Sequence, residues 1–442
     1  MAILSSLRPD VEQEVLLDIL LAHDGNVGEA VASLQHQKPP KRSSSAVTSQ
    51  ASLRHFLPAA PASDSRPPSP KKARLLSRKG RTLFLYDPAD VAAHTPCTVV
   101  HNFLPAGLAT DLLRELLAES ATYEKITFKL FDTVVSSPHT SSFYLDGPDA
   151  SARHRREYVY NGAALTDVRP ITPQLRRARP LVQAAVNAEV ARRVADRYPG
   201  GRKLRYQSPR PWAPNAAFVN CYDGPAQSVG WHSDQLTYLG PRAVIGSLSL
   251  GVAREFRVRR VMPRSDEDDD DDGGGDDGND DAAADAADAK KTDAKRGDEQ
   301  GQISIRLPHN SLLVMHAEMQ EEWKHSVAPA RAVDPHPVAG NRRINVTYRD
   351  YKAEFHPRFT PRCKCAVPTV LRVVQRRREN RGRYFWMCHA GNVPGKDGCD
   401  FFQWAVFDDD GIPVWETEGK GKAGEGLEEP KDGRSVPVEP DG

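Results

Sequence analysis

The chain has 442 residues, 39% hydrophobic and 27% charged, with 35 prolines and 31 glycines, room for two or three domains plus sizeable polar segments. Its formal net charge of +1 hides a segregation: residues 264–300 carry 16 acidic and 5 basic side chains, leaving 55 basic against 43 acidic elsewhere, a net of +12, which suits a polyanionic partner. Six cysteines, four of them between 363 and 399, exclude a disulfide framework and read as metal binding in a reducing compartment. Arg8, Asp10, Glu12, Glu14 and Asp18 break up the first twenty residues, and no apolar run approaches a membrane span. The expectation is a soluble intracellular protein with no signal peptide and no membrane partner.

From the N-terminus, Val11, Val15, Leu16, Ile19 and Leu20 recur at helical spacing behind Asp10 as a cap. His23-Asp24-Gly25-Asn26 interrupts the pattern, and Val27, Ala30, Val31 and Leu34 form a second stripe. This unit, 1–36, resembles the ubiquitin-binding CUE or UBA-like folds; the resemblance implies ubiquitin as a partner of 9–35, while a plain helical hairpin fits the same pattern. Residues 37–81 are rich in Pro, Ser, Lys and Arg and are expected to be a disordered basic linker. Within it, 50–57 (Gln50 to Leu57) has the spacing of sliding-clamp-binding peptides, with Leu57 in place of the second aromatic. Pro70-Lys71-Lys72-Ala73-Arg74 and Arg78-Lys79-Gly80-Arg81 read as a nuclear localisation signal or a nucleic-acid contact, so the expected compartment is the nucleus.

From 82 to 357 short β-branched and aromatic runs alternate with a few helices. Strands are expected at Thr82–Tyr86, Cys97–Phe103, Ala217–Tyr222, Ala243–Leu250, Glu255–Val261, Gln302–Leu307, Ser311–Met315 and Arg343–Arg349, and helices at Ala106–Glu119 and Arg179–Tyr198. That pattern predicts an α+β, double-sheet fold with helical support. The acidic stretch 264–300 reads as a disordered insert between two strands.

Trp231-His232-Ser233-Asp234 places a histidine and a carboxylate two apart. On a strand both point to one face, so they can share a metal if a second histidine completes a 2-His-1-carboxylate triad. His325 is the preferred partner, with His316 and His309 as rivals. Downstream, Arg343, Asn345, Thr347 and Arg349 share one strand face. Two guanidinium groups facing a fold interior are costly unless they meet anions, and a dicarboxylate such as 2-oxoglutarate supplies two. Asn220 and Tyr222 share a face of an earlier strand.

Taken in order, Asn220-x-Tyr222, His232-x-Asp234, His325 and Arg343-x-Asn345-x-Thr347-x-Arg349 resemble the motifs of the AlkB-like Fe(II)/2-oxoglutarate dioxygenases, over roughly 82–357 without the acidic insert. The resemblance implies a double-stranded β-helix (jelly roll). It implies Fe(II) on His232, Asp234 and His325, with O2 as cosubstrate. It also implies 2-oxoglutarate on Asn220, Tyr222, Arg343, Asn345 and Arg349, with Arg343 at the distal carboxylate and Arg349 near the chelating end. The activity implied is oxidative demethylation of N-alkylated bases in DNA, with release of formaldehyde. Such chemistry takes the base out of the stack, and Phe131, Phe143, Tyr144 and Tyr160 are the candidates for its pocket, with Tyr158 as a further one. In the DNA-repair members a Pro-Arg pair precedes the aromatic strand; here Pro138-His139 stands there.

Cys363, Cys365, Cys388 and Cys399 supply four thiolates, enough for a closed tetrahedral Zn(II) site, with His389 as an alternative ligand. Gly382-Arg383-Tyr384-Phe385 and Phe401-Phe402-Gln403-Trp404 resemble the GRF-type zinc finger, expected over 358–410, although Ala366 replaces the glycine that follows the C-x-C. The resemblance implies binding of single-stranded or locally opened nucleic acid. Tyr384, Trp386 and Trp404 are expected to stack on bases and Phe385 and Phe402 to form the small core. Residues 411–442 read as a disordered tail. An RNA demethylase, a catalytically silent nucleic-acid or ubiquitin adaptor, and a protein or small-molecule hydroxylase are the competing functions.

Overall fold

Along Arg342–Arg349 polar and apolar residues alternate, and the alternation sorts the molecule into layers. A computed structural model describes residues 81–130, 133–146, 148–263 and 301–415. The expected helical unit 1–36, the linker through residue 80 with its clamp-like peptide 50–57, Phe131, the acidic insert 264–300 and the tail from 416 lie outside the described residues.

The strands run β1 (Thr82–Leu85), β2 (Cys97–Val100), β3 (Thr127–Leu130), β4 (Thr133–Ser136), β5 (Thr140–Leu145), β6 (Val159–Tyr160), β7 (Ala163–Ala164), β8 (Val168–Pro170), β9 (Ala216–Asp223), β10 (Val229–His232), β11 (Ile245–Gly251), β12 (Arg254–Arg260), β13 (Gln302–Leu307), β14 (Ser311–Met315), β15 (Trp323–Val327), β16 (Arg342–Arg349), β17 (Val370–Val373), β18 (Tyr384–Met387) and β19 (Phe402–Ala405). Among the described residues a seven-stranded sheet has the order β2-β14-β11-β16-β9-β5-β8, and a five-stranded sheet the order β1-β13-β12-β15-β10. The two sheets with their helices make the expected α+β jelly roll.

Helices α1 (Pro88–His94), α2 (Ala106–Glu119), α3 (Pro148–Glu157) and α4 (Pro173–Arg197) accompany the sheets. Helix α2 buries Leu108, Leu112, Leu113, Leu116 and Leu117, a stripe at helical spacing, each leucine contributing roughly 1.5–3 kcal/mol of burial. Helix α4 begins six residues before its expected start. Pro173 supplies the preset φ of a first turn, and the Glu115 carboxylate of α2 accepts the Gln174 N–H at 3.1 Å. Pro180 therefore sits inside α4 rather than at its start.

Helices α2 and α4 cover one face of the large sheet, where Ala217, Val219 and Cys221 of β9 and Ile344, Val346 and Tyr348 of β16 join their core. The other face of the same strands carries Asn220, Tyr222, Arg343, Asn345, Thr347 and Arg349, all in register across β9 and β16. A second core between the sheets includes Tyr222, Phe256, Val258, Ile303 and Leu313, and it also takes in Leu371, Tyr384, Trp386 and Phe407 from the C-terminal cysteine region. No helix among the described residues is long and apolar enough to cross a membrane.

Candidate functional site

Strand β10 ends at His232, which pairs with His325 of β15. Asp234 lies beyond the end of β10, so a shared strand face, as expected from the sequence, is not what aims its carboxylate. Its N–H donates to Gln320 Oε1 at 2.7 Å and its Oδ2 accepts from Arg349 Nη2 at 2.7 Å. The Gly230 carbonyl lies 2.8 Å from His232 Nδ1 and leaves Nε2 facing Asp234. Asp234 Oδ1 lies 3.6 Å from His232 Nε2 and 3.4 Å from His325 Nε2, and one ligand atom from each of the three residues falls within 4.8 Å of the others. Metal bonds of roughly 2.0–2.2 Å bring three facial ligands to about 3 Å from one another. A contraction of a few tenths of an ångström between Asp234 and each histidine therefore lets these donors close on an iron ion.

The protonation pattern suits a cation. Burial works to raise the Asp234 carboxyl, but Arg349 and then the two histidines overcome it and hold the group well below the usual carboxylate range. Desolvation by the atoms packed around its ring, and then the neighbouring His325, push His232 down, toward the neutral imidazole that ligates, while one side of the residue still meets solvent. The His232 side chain is 39% exposed against 6% for His325 and 5% for Asp234, so the cage opens on the His232 side. The rival histidines are engaged elsewhere: His316 Nε2 lies 3.1 Å from Thr98 Oγ1, and His309 Nδ1 accepts the Gly251 N–H at 3.1 Å.

Six positions before Arg349 on the same face of β16, Arg343 is buried, with Nη2 donating to Ser249 Oγ and Asn345 Oδ1 at 2.8 Å. Among the described residues its Nε and Nη1 make no hydrogen bond, nor does Asn220 Oδ1. Burial pulls the Arg343 guanidinium down to about 10. Open, buried donors of this kind fit the carboxylate of a bound dicarboxylate. Asn345 is occupied by Ser247, Arg343 and Thr347, so it holds Arg343 in place. Tyr222 stacks on His139 at 4.8 Å and lies under Arg343 at 5.3 Å. His139 is buried and backs Tyr222; it does not present itself in the role of the Pro-Arg arginine.

The expected pocket aromatics separate. Tyr160 stacks on Phe218 at 5.9 Å and interacts with Arg349. Phe143 and Tyr160 line a cleft together with Phe218 and Asn161. Tyr144 faces the other way, because its β5 neighbours alternate; its hydroxyl meets Tyr123 and Glu119 in the helix-side core. Tyr158 stacks on His154 at 4.4 Å and meets Tyr351 at 5.8 Å, the three rings forming one cluster. Sequence reasoning missed Phe218, which Asn220 and Tyr222 already signal by alternation, and Gln320, for which the sequence holds no signal.

The sulfur atoms of Cys363, Cys365, Cys388 and Cys399 also gather within 4.8 Å of one another. His389 is not among them, since its Nε2 meets the Pro368 carbonyl at 2.8 Å. Strands β17, β18 and β19 form a three-stranded sheet. Tyr384 and Trp386 turn into the core at 3% and 2% exposure, whereas Phe402 is 52% and Trp404 36% exposed. This reverses the expected roles of Tyr384, Trp386 and Phe402, because the finger's core is shared with the larger domain and the buried face is the one carrying Tyr384 and Trp386.

Comparisons with known proteins agree with this geometry. The chain is 36% identical over 135 residues to DNA oxidative demethylase ALKBH2 of Arabidopsis thaliana, covering 30% of this chain and 37% of that protein. It is 29% identical over 135 residues to alpha-ketoglutarate-dependent dioxygenase alkB homolog 3 of Homo sapiens, covering 30% of this chain and 36% of that one. The chain thus spans little more than a third of these relatives' length. The solved structure of OsALKBH1 aligns with 58% of this chain and 97% of its own at 17% identity and a TM-score of 0.35, too low to carry weight. A GRF zinc finger model matches residues 361–407, and with the four gathered thiols it makes zinc the metal of that region. The 2OG-Fe(II) oxygenase superfamily model matches residues 96–349, more than half of the sequence and the whole of the cage. The chain belongs to the 2OG-Fe(II) oxygenase superfamily, whose enzymes work with Fe(II), 2-oxoglutarate and O2.

Proposed function

We propose that this oxygenase demethylates N-methylated bases in DNA, of the 1-methyladenine and 3-methylcytosine kind. The observation that carries the reading is the His232, Asp234 and His325 cage with buried Arg349 on Asp234 and a second buried arginine, Arg343, on the same face of β16. Similarity to a DNA oxidative demethylase supports the substrate class. The catalytic domain is taken as 82–357 and the finger as 358–410. In this reading His232, Asp234 and His325 hold Fe(II), and Cys363, Cys365, Cys388 and Cys399 hold Zn(II). Bound iron and its cosubstrate supply the oxidation: methylated base, 2-oxoglutarate and O2 become restored base, formaldehyde, succinate and CO2.

The chain's own residues do the positioning. Arg343 grips the distal carboxylate with its open donors, Asn220 and Tyr222 border the same end, and Asn345 keeps Arg343 in line. Arg349 keeps Asp234 ionised and sits near the chelating end. The flipped base enters on the exposed His232 side, past Tyr160, with Phe143 buried behind it as packing. The basic segment 70–81 directs the chain to the nucleus, and 9–35 and 50–57 offer contacts for ubiquitin and a sliding clamp.

The test is incubation of the full chain with Fe(II), 2-oxoglutarate, O2 and single-stranded oligonucleotides bearing 1-methyladenine or 3-methylcytosine. Formaldehyde should appear in step with restored base, and His232→Ala should abolish both while the finger keeps its zinc. Turnover on methylated RNA alone would move the substrate class. Absence of turnover on methylated DNA and RNA alike would overturn the reading.

A further inference from the structure

The finger is built into the oxygenase. Leu371 N donates to Thr237 Oγ1 at 3.2 Å, Gln375 Nε2 to the Gln320 carbonyl at 2.8 Å, Arg381 Nη2 to the Val261 carbonyl at 3.0 Å, and Tyr384 Oη to Glu321 Oε1 at 3.0 Å. Gln320 is the residue whose side chain also holds the Asp234 N–H. A second contact closes the other flank. Gly162, between β6 and β7, has φ +83, and a Cβ there would stand 2.5 Å from the His389 carbonyl oxygen and 2.9 Å from Val393. Only glycine allows the two backbones this close. Asn392, Val393 and Pro394 consequently line the same cleft as Phe143, Tyr160 and Phe218.

The register of the finger sheet then fixes which side chains share a face, running from half-buried Arg372 and Phe385 to exposed Trp404. Arg372, Phe385 and Trp404 lie opposite one another across β17, β18 and β19, so they share the face turned away from the buried Leu371 and Trp386. Phe385 stacks on Phe402 at 5.1 Å, Phe402 meets Trp404 edge-on at 5.0 Å, and the Arg383 guanidinium lies 3.8 Å above the Trp404 ring. At the inner end of the row, Arg372 is close enough to interact with Tyr160 and with Lys324, the residue before His325. Strands about 4.8 Å apart make a row of roughly 10 Å, the span of two or three stacked nucleotides. Aromatic faces beside cationic side chains are what unpaired bases and their phosphates require.

We propose that the finger's aromatic face and the cleft beside Tyr160 form one continuous track for a single strand, in which Phe385, Phe402 and Trp404 stack the nucleotides on one side of the target base and Arg372 holds the phosphate between them and the iron cage. The track rests on the reading that the substrate is a nucleic acid. Because the finger is fixed to the oxygenase, the track has one direction: unpaired nucleotides help on one side of the target and not on the other.

The test uses the zinc- and iron-loaded full chain and single strands carrying one 1-methyladenine, with one flank varied from one to six nucleotides while the other stays short. Lengthening one flank should lower KM about tenfold, and lengthening the other less than twofold. The Phe402→Ala/Trp404→Ala double variant should shrink that tenfold ratio to below two while retaining zinc and its thermal midpoint. Arg372→Ala should shrink it as well, and Arg372→Lys should restore most of it. Equal benefit from both flanks, or an unchanged ratio in the double variant, overturns the track. Anisotropy and photo-crosslinking with unmethylated single strands read the same surface without turnover. Direction-specific crosslinks to Phe402 and Trp404 in a chain that demethylates nothing would keep the track and sink only the demethylase reading, whereas demethylation with symmetric flanks would do the reverse.

Discussion

The cage of His232, Asp234 and His325 and the cluster of four cysteines hold their ligands by different means. Protein groups fix the cage: the Gly230 carbonyl orients His232, while Arg349 and Gln320 pin Asp234 at 2.7 Å each. The strands bearing the two histidines are themselves paired within a five-stranded sheet. Around the thiols the contacts are weaker. Cys388 Sγ receives the N–H groups of Ala390 and Cys399 at 3.4 Å, and the surrounding core is small, with Cys363, Cys388 and Ala390 as its buried members. The cage is thus organised by its fold, and the cysteine loops by the metal they bind.

The largest effect that separates the two follows from removing each metal in turn. Structural zinc in small modules carries on the order of 10 kcal/mol of folding free energy. Because Leu371, Tyr384 and Trp386 belong to the core between the sheets, stripping zinc should lower the thermal midpoint of the whole chain by about 10 °C or more and alter the fluorescence of buried Trp386. Stripping iron should move the midpoint by only about 2 °C or less. Scanning calorimetry with metal analysis checks both, and equal shifts would erase the contrast.

A smaller effect is expected at the cosubstrate end. Arg343 is buried with two nitrogens that make no hydrogen bond among the described residues, an arrangement that an apolar residue of similar length relieves. Arg343→Met should weaken 2-oxoglutarate binding by roughly a hundredfold, the loss of a buried charge-assisted pair of about 3 kcal/mol. The same variant should raise the thermal midpoint in the absence of 2-oxoglutarate. Calorimetric titration and thermal unfolding read the two halves. A variant that binds 2-oxoglutarate normally would remove Arg343 from the cosubstrate end, and one that is less stable would show that Ser249 and Asn345 already satisfy the guanidinium.

These two regions were not equally legible. In β16 the alternation is between charged or polar and apolar residues, and burying Ile344, Val346 and Tyr348 leaves Arg343 and Arg349 a single direction. Strand β18 reads Tyr384-Phe385-Trp386-Met387, apolar on both faces, so no pattern tells which side is core. Residue type suggested that Tyr384 and Trp386 would stack on bases, but the deciding partner, Glu321 for the Tyr384 hydroxyl, lies 63 positions earlier in sequence and leaves no local trace. Helix α3 has a similar obscurity: its sequence, PDASARHRRE, shows no apolar stripe, and aromatic stacking of His154 with Phe143 and Tyr158 holds it. The arrangement of Asp234 was hidden in the same way, since Gln320 and Arg349 reach it from distant elements.

The smallest effect lies in the cysteine loop itself. Ala366 adopts φ +58, between Cys363, whose carbonyl accepts its N–H at 2.9 Å, and Arg362, which donates to its carbonyl at 2.7 Å. A left-handed conformation costs an L-residue roughly 1–2 kcal/mol, and glycine avoids that cost but loses about 0.4–1 kcal/mol through its freer unfolded chain. The balance favours glycine, so Ala366→Gly should stabilise the loop by about 0.5 kcal/mol and tighten zinc binding roughly twofold. Competition with a chromogenic chelator measures that affinity. Since the cage has no such strained residue among His232, Asp234 and His325, the same variant should leave iron affinity unchanged. A loss of zinc affinity would mean that the alanine methyl packs favourably enough to outweigh its backbone strain.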